Sequence, residues 1–150
     1  MLIDCLVVTC SAGVQQLKLV QVVRDDVEQV LVSTTSERRS SSFNQLVVRD
    51  GDVVSVDCVA AGACPPPSVV IRLGQRDVSD LFSTSVRRSL SGQRRGMRRV
   101  QYRVFKHRRK VGGLRASITY DGLALRCLAT VPGFAPLSVA LQLIVFCNHS

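Results

Sequence analysis

The stretch DGLALRCLAT, residues 121–130, sets an apolar residue at every second position and places a cysteine among them. On an extended chain Leu123, Leu125, Cys127 and Ala129 face one side, and Ala124, Arg126 and Leu128 face the other. This period of two, following an Asp-Gly turn, predicts a half-buried strand. A cysteine in register with the buried side suggests a second cysteine across the core.

Cys58 is the best-matched candidate. In VVSVDCVAAG, residues 53–62, Val54, Val56 and Cys58 share one face of a strand that stops at Gly62. A Cys58–Cys127 bond would close a loop of roughly 70 residues and stabilise the fold by about 4 kcal/mol. Two inward-facing cysteines suit a bond between stacked sheets. The alternative is a different β-barrel in which both thiols are buried and free.

The neighbouring segments have the spacing of an all-β sandwich. FNQLVVRDGD ends in a turn at Asp50-Gly51, and CPPPSVVIRLG restarts the chain after three prolines, with Val69, Ile71 and Leu73 alternating. VQYRVF alternates Val100, Tyr102 and Val104, and LSVALQLIVF keeps Leu137, Val139, Leu141, Leu143 and Val145 in register. No helical period of comparable length occurs. Upstream, VQQLKLVQVV reads as one strand, and the Ser-rich STTSERRSSS, residues 33–42, reads as a linker. The expected organisation is therefore an extension or truncated neighbouring domain over residues 1–42, one domain over 43–147, and a tail over 148–150.

The chain has 150 residues, 46% of them hydrophobic and none Trp, enough to fill a single core. Its six cysteines form no C-x-x-C pair, and His107 and His149 lie in no ligand spacing, so no metal site is expected. An even cysteine count in a β-rich chain points to disulfides and an oxidising compartment. NHS at Asn148 is a glycosylation sequon. The longest apolar runs fall short of a membrane span. MLIDCLVVTCSAG has small residues at its end like a signal peptide, but it lacks a basic start and Asp4 interrupts its apolar core. A piece of a longer gene product fits better. Cys5 and Cys10 are expected in a removed or truncated segment, while Cys64 and Cys147, at opposite ends of the sandwich, should not pair with each other.

Residues 43–146 resemble the immunoglobulin superfamily. GDVVSVDCVAAGACPPPSVVIRLGQRDVS is similar to the region from strand B to C′, and YDGLALRCLATVPGFAPLSVALQLIV to strands F and G. The form DG-x-x-L-x-C-x-A is closest to the membrane-proximal constant-type (C2-like) domains of nectin, nephrin and fasciclin III-like adhesion molecules. The resemblance implies an immunoglobulin-like two-sheet antiparallel sandwich with one inter-sheet disulfide, Cys58–Cys127. Two positions depart from the family pattern. Ile71 stands where a Trp usually packs on the disulfide, and Leu125 replaces the corner Tyr two residues before the second cysteine. Asp121 falls at the corner between strands E and F, where it would cap the turn through a charge pair or backbone hydrogen bonds. Ile71, Leu125 and Asp121 are thus the expected structural residues.

Charge is concentrated in one segment. Residues 72–115 hold 14 Lys or Arg against Asp77 and Asp80, a net +12, whereas the remainder is −3, giving +9 in all. Arg94, Arg95, Arg98, Arg99, Arg108, Arg109 and Lys110 come in clusters that could hold a polyanion such as a sulfated glycosaminoglycan, or could simply be a solvated edge. Nucleic acid is disfavoured, since Tyr102 and Phe105 are the only aromatics within residues 86–115 and Tyr102 alternates with core valines. No G-x-S-x-G, phosphate loop or paired-carboxylate motif is present. The expectation is a non-enzymatic domain without cofactor, exposed outside the cell and attached to the membrane through a segment absent from this chain. Its partner would be a homophilic or heterophilic surface protein. The alternative is polyanion binding through residues 87–115.

Overall fold

The computed structural model describes residues 7–23, 27–35, 37, 39–41, 45–94 and 97–147. Twelve strands run through them: β1 (Val7–Thr9), β2 (Gln16–Val23), β3 (Val27–Thr35), β4 (Arg39–Ser41), β5 (Gln45–Arg49), β6 (Asp57–Ala63), β7 (Ser68–Leu73), β8 (Arg76–Asp77), β9 (Phe82–Arg94), β10 (Met97–Arg108), β11 (Ala124–Thr130) and β12 (Leu137–Phe146). Among the described residues the only helical turns are short 3-10 turns at Ser79–Leu81 and Ile118–Tyr120.

The strands form two sheets. The first runs β1-β10-β6-β2-β3-β4, with β9 on the far side of β10, and the second runs β5-β12-β11-β7-β8. Pairing is antiparallel throughout, except that β1 runs parallel to β10 and β5 parallel to β12. Because β9 occupies one edge of β10 along its whole length, β1 and β6 share the other edge end to end. Where β6 meets β10, Ala63 pairs Tyr102 and Ala61 pairs Arg103, leaving Gly62 as an extra residue. Its φ of +91° is one that only glycine adopts freely, the signature of a glycine bulge.

The alternating apolar residues meet between the sheets. Leu17 and Leu19 of β2, Ile71 of β7, Leu125 of β11 and Leu141 and Leu143 of β12 are all fully buried. Cys58 lies beside Leu19, Cys127 lies beside Val139 and Ile71, and the two cysteines are bonded across the sandwich with Cα atoms 6.5 Å apart. The fold is an immunoglobulin-like sandwich with an inter-sheet disulfide. Ile71 is directly opposite Cys127 in register and only 1% exposed, so an aliphatic side chain occupies the space against the disulfide.

Three expectations are corrected. A boundary at residue 42 follows none of these pairings. β2 pairs with β6, Leu17, Leu19, Leu31 and Val32 belong to the same core cluster as Ile71, and so the chain before residue 42 completes the first sheet. The Ser-rich stretch is likewise not a plain linker, because β3 extends through Thr35 and β4 folds back on it, pairing Ser33 with Ser40. Short polar strands suit a sheet edge, where side chains on one face are solvated. Cys10 is not in a removed or truncated segment but is part of the sandwich, bonded to Cys64 with Cα atoms 5.1 Å apart. A bridge from Ala12 to Cys64 holds the two segments together at that point. Cys5 lies outside the described residues, and Cys147 is free and exposed.

Candidate functional site

The outer face of the five-stranded sheet is set by alternation. With Ile71, Cys127 and Leu141 turned inward, Val70, Arg72, Arg126, Leu128, Ala140, Ile144 and Val47 turn outward. Val47 is 62% exposed and Phe146, at the end of β12, is 43% exposed. Leu128 pairs Val70, and next to them Arg126 stands directly opposite Arg72. Like charges in that arrangement repel. Arg126 reaches Ser138 Oγ at 3.5 Å, and Asp77 pairs with Arg72 on β8. Hydrogen bonds from Ser79, first through its side chain and then through its backbone, together with nearby Arg72 and Lys106, hold the Asp77 carboxyl below its usual range.

The outer face of the other sheet is cationic. Val100 and Val104 turn inward, so Arg99, Gln101, Arg103, Phe105 and His107 line the outer side of β10. Arg103 is directly opposite Arg87 on β9, a second pair of opposed guanidinium groups. Arg87 caps the Phe105 ring at 5.3 Å. A hollow of about 430 Å3 opens beside them, lined in part by Gln16, Gly62, Arg87, Gln101, Tyr102 and Arg103. The expected cationic cluster is spread out: Arg99 and Arg108 are nine residues apart on one strand, about 30 Å. Arg108 is half-buried, Arg109 is exposed and donates to Ser83 Oγ, and Lys110 is exposed beyond the strand. Arg94 and Arg98 lie on strands, but their side chains, like Arg95 and Asn148 as a whole, lie outside the described residues. Arg87 and Arg103 face each other only because of the hairpin register, which residue clustering in sequence does not reveal.

Below this row sits a constellation that no sequence motif signals. Asp57 opens β6, His107 is near the end of β10, and Ser85 is near the start of β9, so three adjacent strands bring them together. His107 Nδ1 lies 3.2 Å from Asp57 Oδ2, and His107 Nε2 lies 3.0 Å from Ser85 Oγ. Asp57 is nearly buried, and its other oxygen accepts the Arg108 backbone N–H at 2.8 Å. The Phe105 ring stacks on the imidazole, with centroids 5.3 Å apart and planes 6° from parallel. A carboxylate only accepts, so Nδ1 carries the proton, and in the neutral ring Nε2 accepts from the serine hydroxyl.

At the turn before β11, Asp121 is exposed and accepts the Val145 backbone N–H at 2.9 Å, while Gly122 N–H donates to the Leu143 carbonyl at 2.7 Å. These bonds tie the corner to β12 where Leu125, 1% exposed, has no hydroxyl to offer. Among the described residues no group of His, Cys, Asp and Glu has the makings of a metal site, and no helix is long and apolar enough to cross a membrane.

No protein-family model matches the chain, and no curated protein matches it. Among solved structures it is similar to the tandem Ig repeats of Dlar, at 19% identity and a TM-score of 0.39, over 71% of this chain and 46% of that one. It is also similar to Rst D1-D2, at 10% identity and a TM-score of 0.49, over 93% of this chain and 94% of that one. The chain thus spans about half the length of the Dlar repeats it matches.

Proposed function

We propose that this chain is an extracellular immunoglobulin-like domain that recognises a protein on a cell surface through the outer face of its five-stranded sheet. One observation carries the reading: Arg72 and Arg126 are opposed beside the outward-turned Val70, Leu128 and Ala140. A partner carboxylate between the two guanidinium groups would relieve their repulsion, while the aliphatic groups supply contact area. The sheet is already ordered by the core behind it, so little entropy is lost on contact. The two disulfides support an oxidising location.

The test is cell aggregation by the displayed domain. Leu128→Arg and Arg126→Glu should abolish it, and Arg103→Glu on the opposite sheet should leave it intact. Mixing displaying with non-displaying cells separates homophilic from heterophilic contact. Aggregation unaffected by both five-stranded-sheet variants would refute the assignment.

The opposed Arg87 and Arg103, beside their hollow, favour one second reading, a sulfated polyanion on the β9–β10 face. Retention on a heparin column that is lost in Arg87→Ser/Arg103→Ser would support it, with elution rising steeply in salt.

A further inference from the structure

Beyond recognition, the geometry points to a base-activated nucleophile: we propose that Ser85, with His107 and Asp57, is an acyl-transfer site for esters bearing an anionic group. The hydrogen-bond order is serine hydroxyl, Nε2, Nδ1, carboxylate, with heavy-atom separations of 3.0 and 3.2 Å. This is the arrangement by which an imidazole removes a serine proton while a carboxylate fixes its tautomer, recognised by roles and not by chain order. Asp57 is suited to that positioning role because its side chain is only 12% exposed and its second oxygen is held by the Arg108 N–H. The imidazole is kept in plane by the stacked Phe105 ring, and its own 43% exposure leaves it open to a substrate.

The surroundings select the substrate class. Phe105 is directly opposite Ser85 and carries Arg87 over its ring, so a guanidinium stands two residues along β9 from the nucleophile, a cation available to charge developing on an acyl oxygen. The same Arg87 lines the hollow with Arg103, where the anionic group of the ester would rest.

In the reaction Ser85 Oγ attacks the ester carbonyl carbon as its proton passes to His107 Nε2. The carbon–oxygen bond to the leaving alcohol then breaks, and the departing oxygen takes that proton. Water, deprotonated by the same nitrogen, next attacks the acyl carbon; the bond to Ser85 Oγ breaks, that oxygen takes the proton back from Nε2, and the acid is released. The net change is ester plus water to acid plus alcohol.

The probe is mono-4-nitrophenyl succinate on the full chain, following nitrophenolate release and mapping the succinyl group by mass. Succinyl should appear on Ser85 and be lost in Ser85→Ala. His107→Ala should slow release by about 100-fold, with partial recovery on adding free imidazole. Asp57→Asn should lower the limiting rate and leave half-saturation unchanged, which a merely structural role would not do. Measured against each ester's rate in buffer alone, neutral 4-nitrophenyl acetate should be accelerated less than the succinate, whose own carboxylate also expels nitrophenolate without protein. Circular dichroism identifies variants that remain folded. Succinyl spread equally over Ser83, Ser85 and Ser89, absence of any label on Ser85, or an undiminished rate in folded His107→Ala would overturn the proposal.

Discussion

Replacing Cys10 and Cys64 together by Ala measures how tightly the first forty residues are bound into the fold. Cys64 is fully buried, and Ala keeps the site apolar with little change in volume. The bond joins residues 54 apart, and that loop contains β2 to β6. Freeing a loop of this length in the unfolded chain costs about 4 kcal/mol of stability in the chain-entropy model. The Cys58–Cys127 loop, 69 residues, differs from it by only about 0.2 kcal/mol because the dependence is logarithmic. The assay is equilibrium unfolding in guanidinium followed by far-ultraviolet circular dichroism, suitable for a chain without Trp. The midpoint should fall with the slope nearly unchanged, and the melting temperature should drop by about 10 °C. A loss below about 1 kcal/mol, or a separate early transition for the strands before β5, would refute the reasoning. Either result would mean that β2 and β3 rest on the sandwich without being part of its cooperative core.

Further outcomes follow from single positions. Ile71→Ala should cost roughly 3 kcal/mol in the same unfolding assay, since Ile71 packs against the Cys127 bond with no exposed surface to collapse from. Gly62→Ala should cost about 1–2 kcal/mol, because its backbone is left-handed and a Cβ would meet the Gln15 side chain at 2.8 Å; a neutral effect would exclude the bulge. For Asp77 the folded carboxyl titrates lower than the unfolded one, so its contribution is complete above the unfolded value and fades as pH falls through the folded value. Asp77→Asn should therefore flatten the acid side of the stability profile slightly and leave neutral pH dependence unchanged, with the carboxyl followed directly by NMR titration.

Much of the sandwich was legible because burial on one face of a strand imposes a period of two. Leu125, Cys127, Ala129, Val139, Leu141 and Leu143 alternate in sequence and all turn inward. The Cys58–Cys127 bond was readable for the same reason. Leu123 broke the pattern: β11 starts at Ala124, and Leu123 sits in the preceding turn, 36% exposed. The early strands were harder. β2 has Leu17, Leu19 and Val20 buried across a register shift, which blurs the alternation, and β4 is too short and polar to announce itself. The partner of Cys64 was hidden because β1 reaches it only by running parallel to a strand about ninety residues later.

The functional residues divide in the same way. That the basic charge belongs to one segment is a property of composition and needs no coordinates. Which of its arginines stand together depends on the β9–β10 register, and this sets Arg87 against Arg103 while sending Arg99 and Arg108 to opposite ends. Asp57, Ser85 and His107 are separated by 22 and 50 residues along the hydrogen-bonded chain, so only the order of three neighbouring strands brings them into contact. Side-chain alternation along one strand is a local consequence of backbone geometry and is therefore written in sequence. Contact between strands depends on long-range pairing and register, where a slip of one residue would turn every one of these groups to the other face.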